Sequence, residues 1–441
     1  MIERLPLLVL LLLLSCRSGS EVLAQGETGA GSGPALGQIY GEGASPVSDL
    51  SRSGEARERF SLRLGYLQLQ PHAEAWYIYD DNVNLSSDSR KGEGYATFAP
   101  GAKLLYGNER RNYVYLDYTA DFSTLSTPGE GTLFGQTATL FGHYETTRSQ
   151  ATLWHRYREV NDLDTALGAR ISKTENFSFA NLDHRVSTKT TVGALVSHEL
   201  HNFDDPEYSD YRQYEGAGRL YWSTTPRTEL YGEARHGWVD VDHDGGDYGS
   251  AQFTEGSIGI RGKPRPRLTT TGQVGYQHRT FDDSRIKPFS HWVGGGKVEA
   301  KPFEFFQTWL GVWCAIRPAA NAPGISLIET RIEPGISRRL WTDRLVGSLS
   351  GVVGFVDYRG TSDPDAREDQ TDARVYDGRR DTFWGYTLNV DWWFAKYWSM
   401  GVGYSYIRNE SDVDSRQRVG QVPERASYDG GRWMARASFN M

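Results

Sequence analysis

The sequence predicts an all-β fold, a transmembrane antiparallel β-barrel of about 18 strands preceded by a flexible periplasmic arm. Three observations predict it. Most of the chain alternates with period two and keeps its charges on one parity, the connections alternate between short and long, and Trp and Tyr gather near the ends of the alternating runs.

Residues 1–24 read as a secretory signal. Arg4 supplies a positive charge, and Leu5 to Leu14 is apolar apart from Pro6. That run is too short for a membrane-spanning helix, which needs about 20 apolar residues, but suits a signal core. Val22-Leu23-Ala24 fits a peptidase site and places the mature start near Gln25. A second reading takes Leu13-Leu14-Ser15-Cys16 as a loose lipobox that would put a lipid on Cys16. Residues 25–60 are rich in Gly, Ser, Ala and Pro without a hydrophobic period, which describes a flexible arm.

Residues 61–441 form the predicted barrel. In Asn112–Phe122, Val114, Leu116, Tyr118, Ala120 and Phe122 share one face, and Tyr113, Tyr115, Asp117, Thr119 and Asp121 the other. In Thr228–Trp238, Leu230, Gly232, Ala234, His236 and Trp238 oppose Glu229, Tyr231, Glu233 and Arg235. In Ile328–Arg339, Ile328, Ile332, Pro334 and Ile336 oppose Glu329, Arg331, Glu333 and Ser337, with His236 and Pro334 expected near strand ends. A Lys or Arg facing hydrocarbon at the midplane costs about 2–4 kcal/mol, so the charged parity belongs to a wet interior.

Short connections such as Thr224-Thr225-Pro226 and Pro264-Arg265-Pro266-Arg267 alternate with long ones such as Asp80–Gly94, Val241–Ser250, Gly360–Arg380 and Glu410–Gly430. Outer-membrane barrels have that pattern of short periplasmic turns and longer external loops. Counting runs from Ala73 to Met441 gives about 18 strands, with Leu62–Leu69 and Lys297–Arg317 ambiguous. Trp76, Trp222, Trp238, Trp309, Trp384, Trp392 and Trp398 stand near run ends, where an interfacial belt lies. A soluble β-sandwich also alternates but needs no such belt.

Composition agrees. There are 13 Trp, 25 Tyr, 18 Phe and 49 Gly but only 4 Met, a strand-and-turn composition. The net charge of −8 argues against nucleic acid as a partner. If Ala24 is the cleavage point, Cys314 is the one mature cysteine and no intramolecular disulfide forms.

No catalytic constellation emerges, no cofactor is expected, and the expectation is that the chain is not an enzyme. His143, His155, His198 and His278 read as interfacial or lumen residues. Asp240, Asp242 and Asp244 open a calcium-like loop whose closing acid is missing, since Ala251 stands there, so no metal site is assigned. Acidic loops at Asp204-Asp205, Asp282-Asp283 and Asp363 to Asp372 read as solvated, with divalent cations bridging lipopolysaccharide as a further role. The lumen candidates are Tyr113, Tyr115, Asp117, Glu215, Arg219, Tyr221, Glu229, Tyr231, Glu233, Arg235, Glu255, Arg261, Lys297, Glu299, Glu329, Arg331 and Glu333. Their charges could satisfy one another across strands or line a hydrated conduit, and the tyrosines offer flat faces for sugar rings.

At Tyr79-Asp80-Asp81-Asn82-Val83, continued by Pro100-Gly101 and the run Asn112–Phe122, the chain resembles the β-barrel porin type 2 family. That family includes EpsL-like and Wzp-like barrels encoded with exopolysaccharide export systems. The resemblance implies an outer-membrane conduit for a secreted polysaccharide, fed by a periplasmic polysaccharide-export protein and surrounded by lipid and lipopolysaccharide. A diffusion porin for small polar solutes is the other reading.

Overall fold

The computed structural model describes residues 62–83, 90–108, 111–125, 132–164, 169–206, 208–242, 249–284, 286–319, 325–342, 344–360, 378–412 and 427–440. The predicted signal (1–24), Cys16, the arm up to residue 60 and most of the loops 360–380 and 410–430 lie outside them.

The described residues form one sheet. A short β1 (Leu62–Leu64) precedes β2 (Leu67–Asp80), β3 (Glu93–Gly107), β4 (Tyr113–Leu125), β5 (Thr132–Glu145), β6 (Ser149–Asp164) and β7 (Ala169–Arg185). Then follow β8 (Thr190–Phe203), β9 (Asp210–Thr225), β10 (Thr228–Asp242), β11 (Ala251–Arg265), β12 (Leu268–Phe281) and β13 (Phe289–Phe303). The last are β14 (Phe306–Pro318), β15 (Ser326–Arg339), β16 (Leu345–Arg359), β17 (Arg380–Trp392), β18 (Trp398–Ser411) and β19 (Tyr428–Asn440). Each strand from β2 onward pairs antiparallel with the next, and β19 returns to pair with β2, closing an 18-strand barrel. The first barrel strand begins at Leu67, earlier than Ala73, and Lys297–Arg317 resolves into β13 and β14 around the turn Glu304-Phe305.

β1 has a structural use. The β19–β2 ladder ends at Asn440↔His72, which leaves the first residues of β2 without a neighbour on that side. β1 turns back through Gly65, at φ 64°, and pairs Leu62↔Leu69 and Leu64↔Leu67. An open strand edge is a template for unwanted pairing, and β1 covers it.

The two faces follow strand parity. Leu116, Leu230, Ile258, Leu349, Leu388 and Val402 stand out from the wall, Leu388 with 49% and Ile258 with 65% of their surface exposed. Such a face suits hydrocarbon and nothing else. Outward aromatics mark its two rims: Tyr79, Trp238, Trp292, Trp384 and Trp433 near the long loops, and Tyr106, Tyr144, Trp222, Trp392 and Trp398 near the short turns. Replacing Leu388 with Arg places a charge on that face near the middle of β17 and will cost about 2–4 kcal/mol, whereas Arg at inward Thr387 will cost far less. Denaturant titration of the two variants in lipid vesicles checks this; equal costs would overturn the assignment of faces.

Some sequence expectations change. Trp309 is buried, with 8% exposure, on the inner face, where its indole covers the backbone of Gly335 on β15. Parity in β14 counts from outward Leu310, so nearness to a run end was a poor guide there. His236 and Pro334 sit well inside β10 and β15. His236 is satisfied by the Thr254 hydroxyl at 3.0 Å, and Pro334 packs against Gly351. Ile328 is buried because β13–β14 pairing stops at Gly294↔Cys314, and Ile316 and Ile328 pack there with Val293. His155 and His278 lie on the outward face with serine partners, Ser178 and Ser290, each at 2.8 Å.

The inner wall as candidate functional site

On the inner face of β8 to β12 the charges form a connected ladder. Arg219 on β9 donates through Nε to the carboxylate of Glu233 on β10. Arg235 reaches Glu233 at 2.8 Å and Glu215 at 3.4 Å, and Glu215 accepts from Ser197 at 2.6 Å. Toward the short-turn end, Arg261 donates to Glu229 at 2.8 Å, approaches Asp183 at 3.7 Å and lies 3.8 Å above the Tyr221 ring. Glu255 accepts from Gln277 at 3.4 Å. The Glu233 side chain has 0% exposure and that of Arg219 4%. Charges buried this deeply persist only when paired, and here the pairs are each other.

The next sector repeats this more loosely. Glu299 lies between Lys297 at 3.4 Å and Lys301 at 3.7 Å. Arg331 on β15 bridges Glu329 at 2.9 Å and Glu333 at 3.2 Å.

Inward glycines let partners two strands apart meet. Gly259 lies in register between Tyr231 and Gln273, and the Tyr231 hydroxyl donates to Gln273 at 3.0 Å over it. Gly401 lies between Asp391 and Arg436, which join at 2.6 Å. A Cβ at Gly401 would collide with Asp391 Oδ1, so a side chain there displaces the Asp391 carboxylate from the bridge. His72 passes over Gly101 to reach Asp117 at 2.9 Å.

The β4–β7 sector differs. Tyr115↔Phe141, Phe141↔Trp154 and Trp154↔Phe179 are direct register pairs, so four aromatic side chains stand side by side on four consecutive strands. Tyr115 and Phe141 stack at 5.2 Å with 18° between planes, and Trp154 and Phe179 lie at 5.6 Å. Tyr113 joins by stacking on Phe141 at 5.5 Å. All of them are half-buried, so each leaves part of its surface free on the inner side of the wall. Of these five, Tyr113 and Tyr115 stand out in the sequence because they share a strand. Phe179 shares β7 and its parity with Phe177, whose ring lies 5.1 Å from that of Trp154, and Phe141 and Trp154 lie on two further strands; they become a row only through register.

Tyr221 and Tyr231 belong to the charge ladder and not to this row; their rings lie 5.4 Å apart. Asp240 and Asp242 are exposed on the outward parity of β10, and Asp244 lies outside the described residues. Among the described residues no group of three or more His, Cys, Asp or Glu gathers as a metal site.

The Tyr79-Asp80-Asp81-Asn82 segment joins the ends of the barrel. Arg432 on β19 donates to Asp80 at 2.6 Å, and Asp80 also accepts the Asn82 backbone N–H at 2.9 Å. Asp81 and Gly431 exchange backbone and side-chain bonds at 3.0 and 2.7 Å, and the Asn82 side chain donates to the Asp429 carbonyl at 2.6 Å. All three polar residues of the motif thus hold β2 to β19.

Comparison with known proteins places this architecture. The sequence family described as "Putative beta-barrel porin 2" matches residues 60–422. No curated protein matches the sequence. Among solved structures, the Pseudomonas aeruginosa outer membrane protein opdK aligns at 11% identity and TM-score 0.44, over 85% of this chain and 99% of that one. Acinetobacter baumannii OccAB4 aligns at 11% and 0.43, over 86% and 100%. The P. aeruginosa siderophore receptor PirA aligns at 9% and 0.41, over 86% and 81%.

Proposed function

The chain belongs to the beta-barrel porin 2 family of outer-membrane barrels, and from that premise we propose that it carries a secreted exopolysaccharide through the outer membrane to the cell surface. The observation that most supports this reading is the in-register row Tyr115, Phe141, Trp154 and Phe179. In-register neighbours are about 4.8 Å apart. With strands tilted by roughly 35–45°, a row perpendicular to them climbs the wall as a helix. Tyr115 lies near the short-turn end of β4, while Phe179 lies farther from that end in β7.

A sugar ring presents flat faces of C–H groups that pack on aromatic faces, and the hydroxyl edges remain wet. Evenly spaced aromatic platforms let one ring be passed to the next without a single deep well, which a moving polymer requires. An 18-strand barrel is wide enough for a passage, since barrels of 16–18 strands leave an aqueous interior. In this reading a periplasmic polysaccharide-export protein delivers the chain at the short-turn mouth, and lipopolysaccharide surrounds the long-loop rim.

Deleting the gene will remove surface polysaccharide and leave it trapped in the periplasm; a deletion strain with normal surface polysaccharide defeats the proposal. The mixed-sign ladder favours one alternative, a diffusion porin for small polar solutes. That reading predicts unchanged polysaccharide on deletion and stable, solute-saturable conductance from the purified protein alone.

A further inference from the structure

Between β13 and β14 the wall overlaps itself at the long-loop rim. Pairing of these two strands ends at Gly294↔Cys314. β13 nevertheless stays paired with β12 as far as Phe289↔Arg279, and β14 with β15 as far as Pro318↔Ser326. Residues 289–293 and 315–318 therefore run on toward the rim as two sheet edges that do not pair with each other. Such edges are not left open to lipid.

Side chains show how they are covered. Val293 is on the inward parity of β13, next to outward Trp292, whereas Ile316 and Ile328 are on the outward parity of β14 and β15, in line with Leu310 and Ile336. Yet Val293, Ile316 and Ile328 form one cluster, with Phe289 and Cys314 packed against it. Ile316 and Ile328 are 8% and 4% exposed, where Leu310 and Ile336 keep 41% and 44%. Arg279, from the inner face of β12, donates to the hydroxyl of Ser326 on the outward parity of β15 at 3.4 Å. An inner face can meet an outer face only where β12 and β13 lie outside β14 and β15, so the wall is two layers thick here. Two features make this overlap movable. The run Gly294-Gly295-Gly296 stands where β13 leaves β14, and Gly294 has φ 139°, a backbone that residues with a Cβ rarely adopt. Beyond it, among the described residues, no strand pairing ties the layers; the Cys314 thiol donates to the Trp292 carbonyl at 3.3 Å, and the rest of the contact is apolar. Apolar packing within a bilayer is weakly held, because acyl chains are as apolar as the side chains they replace.

We propose that the overlap is a lateral gate: β12 and β13 swing outward about residues 294–296 and open a slot between β13 and β14 that admits an acyl chain from the outer leaflet. The slot is lined by Phe289, Val293, Ile316 and Ile328, while the inner wall beside it carries Arg317 and Glu329, 3.9 Å apart. Its ligand is therefore amphipathic, with hydrocarbon in the slot and a polar head on the inner side. The gate stands whether or not the barrel carries polysaccharide.

Photolabelling in lipid vesicles tests it, with a palmitate that carries a diazirine as the probe and mass spectrometry to map the labelled residues. In the parent protein the label will reach Phe289 and Ile316 as well as the plain outward face around Leu388. Val293→Cys with Ile328→Cys, in a Cys314→Ser background, allows the layers to be locked by a short, reducible dithiol cross-linker. With the lock closed, labelling of Phe289 and Ile316 will be lost while that around Leu388 is unchanged, and reduction will restore it. Phe289 and Ile316 that stay unlabelled in the parent protein make the overlap a fixed seam, and labelling that persists under the lock means that nothing there opens; either result overturns the gate.

Discussion

Replacing Asp80 with alanine will lower the unfolding free energy by about 3–5 kcal/mol, because it strands one member of a buried ion pair. Asp80 and Arg432 side chains are 2% and 5% exposed and meet at 2.6 Å, so solvent screens them little. The pair also lies where the barrel closes. β2 and β19 are joined through the whole length of the chain, so their contact is the least local in the fold and the one for which loop closure costs most. Asp80 further orders Asn82, whose side chain is a second tie to β19. Removing the carboxylate therefore weakens the closing ladder at its long-loop end as well as the pair itself. Denaturant titration in detergent measures the loss, and SDS electrophoresis without heating shows whether the compact band survives. Replacing both partners by apolar residues, Asp80→Leu with Arg432→Met, will cost less than Asp80→Ala alone, since no charge is then left buried. A loss below about 1 kcal/mol for Asp80→Ala would mean that the motif does not secure the seam.

Strand parity was legible in the sequence because its period is two and the penalty for a charge facing hydrocarbon is steep. Leu230 against Glu229, or Leu116 against Asp117, needs no structure to interpret. The count of about 18 strands was legible for the same reason, together with the alternation of turn and loop. Properties that depend on register were not. Asp80 and Arg432 are 352 positions apart, so the Tyr-Asp-Asp-Asn segment reads as a recurrent motif without a reason until β19 lies beside β2. Trp309 reads as an interfacial anchor until Gly335 is seen beneath it. Register comes from turn lengths and from irregularities such as those between Gly262 and Arg265 or Ala300 and Phe303, which period-two reasoning does not see.

Alanine at Phe141, Trp154 and Phe179 together will weaken saccharide binding by roughly a hundredfold, taking about 1 kcal/mol for each aromatic platform. Calorimetry with maltose oligomers reads the effect directly, and surface polysaccharide in cells carrying the triple variant will fall toward the level of the deletion strain. Two contrasts separate loss of a track from loss of the barrel. Alanine at Tyr231 removes an inward ring of similar size that belongs to the charge ladder and bonds Gln273, so it will alter stability without a matching loss of saccharide affinity. Ionic strength gives the second contrast. Stacking of neutral sugars on rings is insensitive to salt, even as the Debye length shrinks from about 10 Å at 0.1 M toward 3 Å at 1 M. The parent protein will therefore keep its neutral affinity at high salt, and the triple alanine variant will bind neutral oligomers weakly at every salt concentration. If the triple variant binds maltose oligomers as the parent does, the aromatic row packs the wall and carries no polymer.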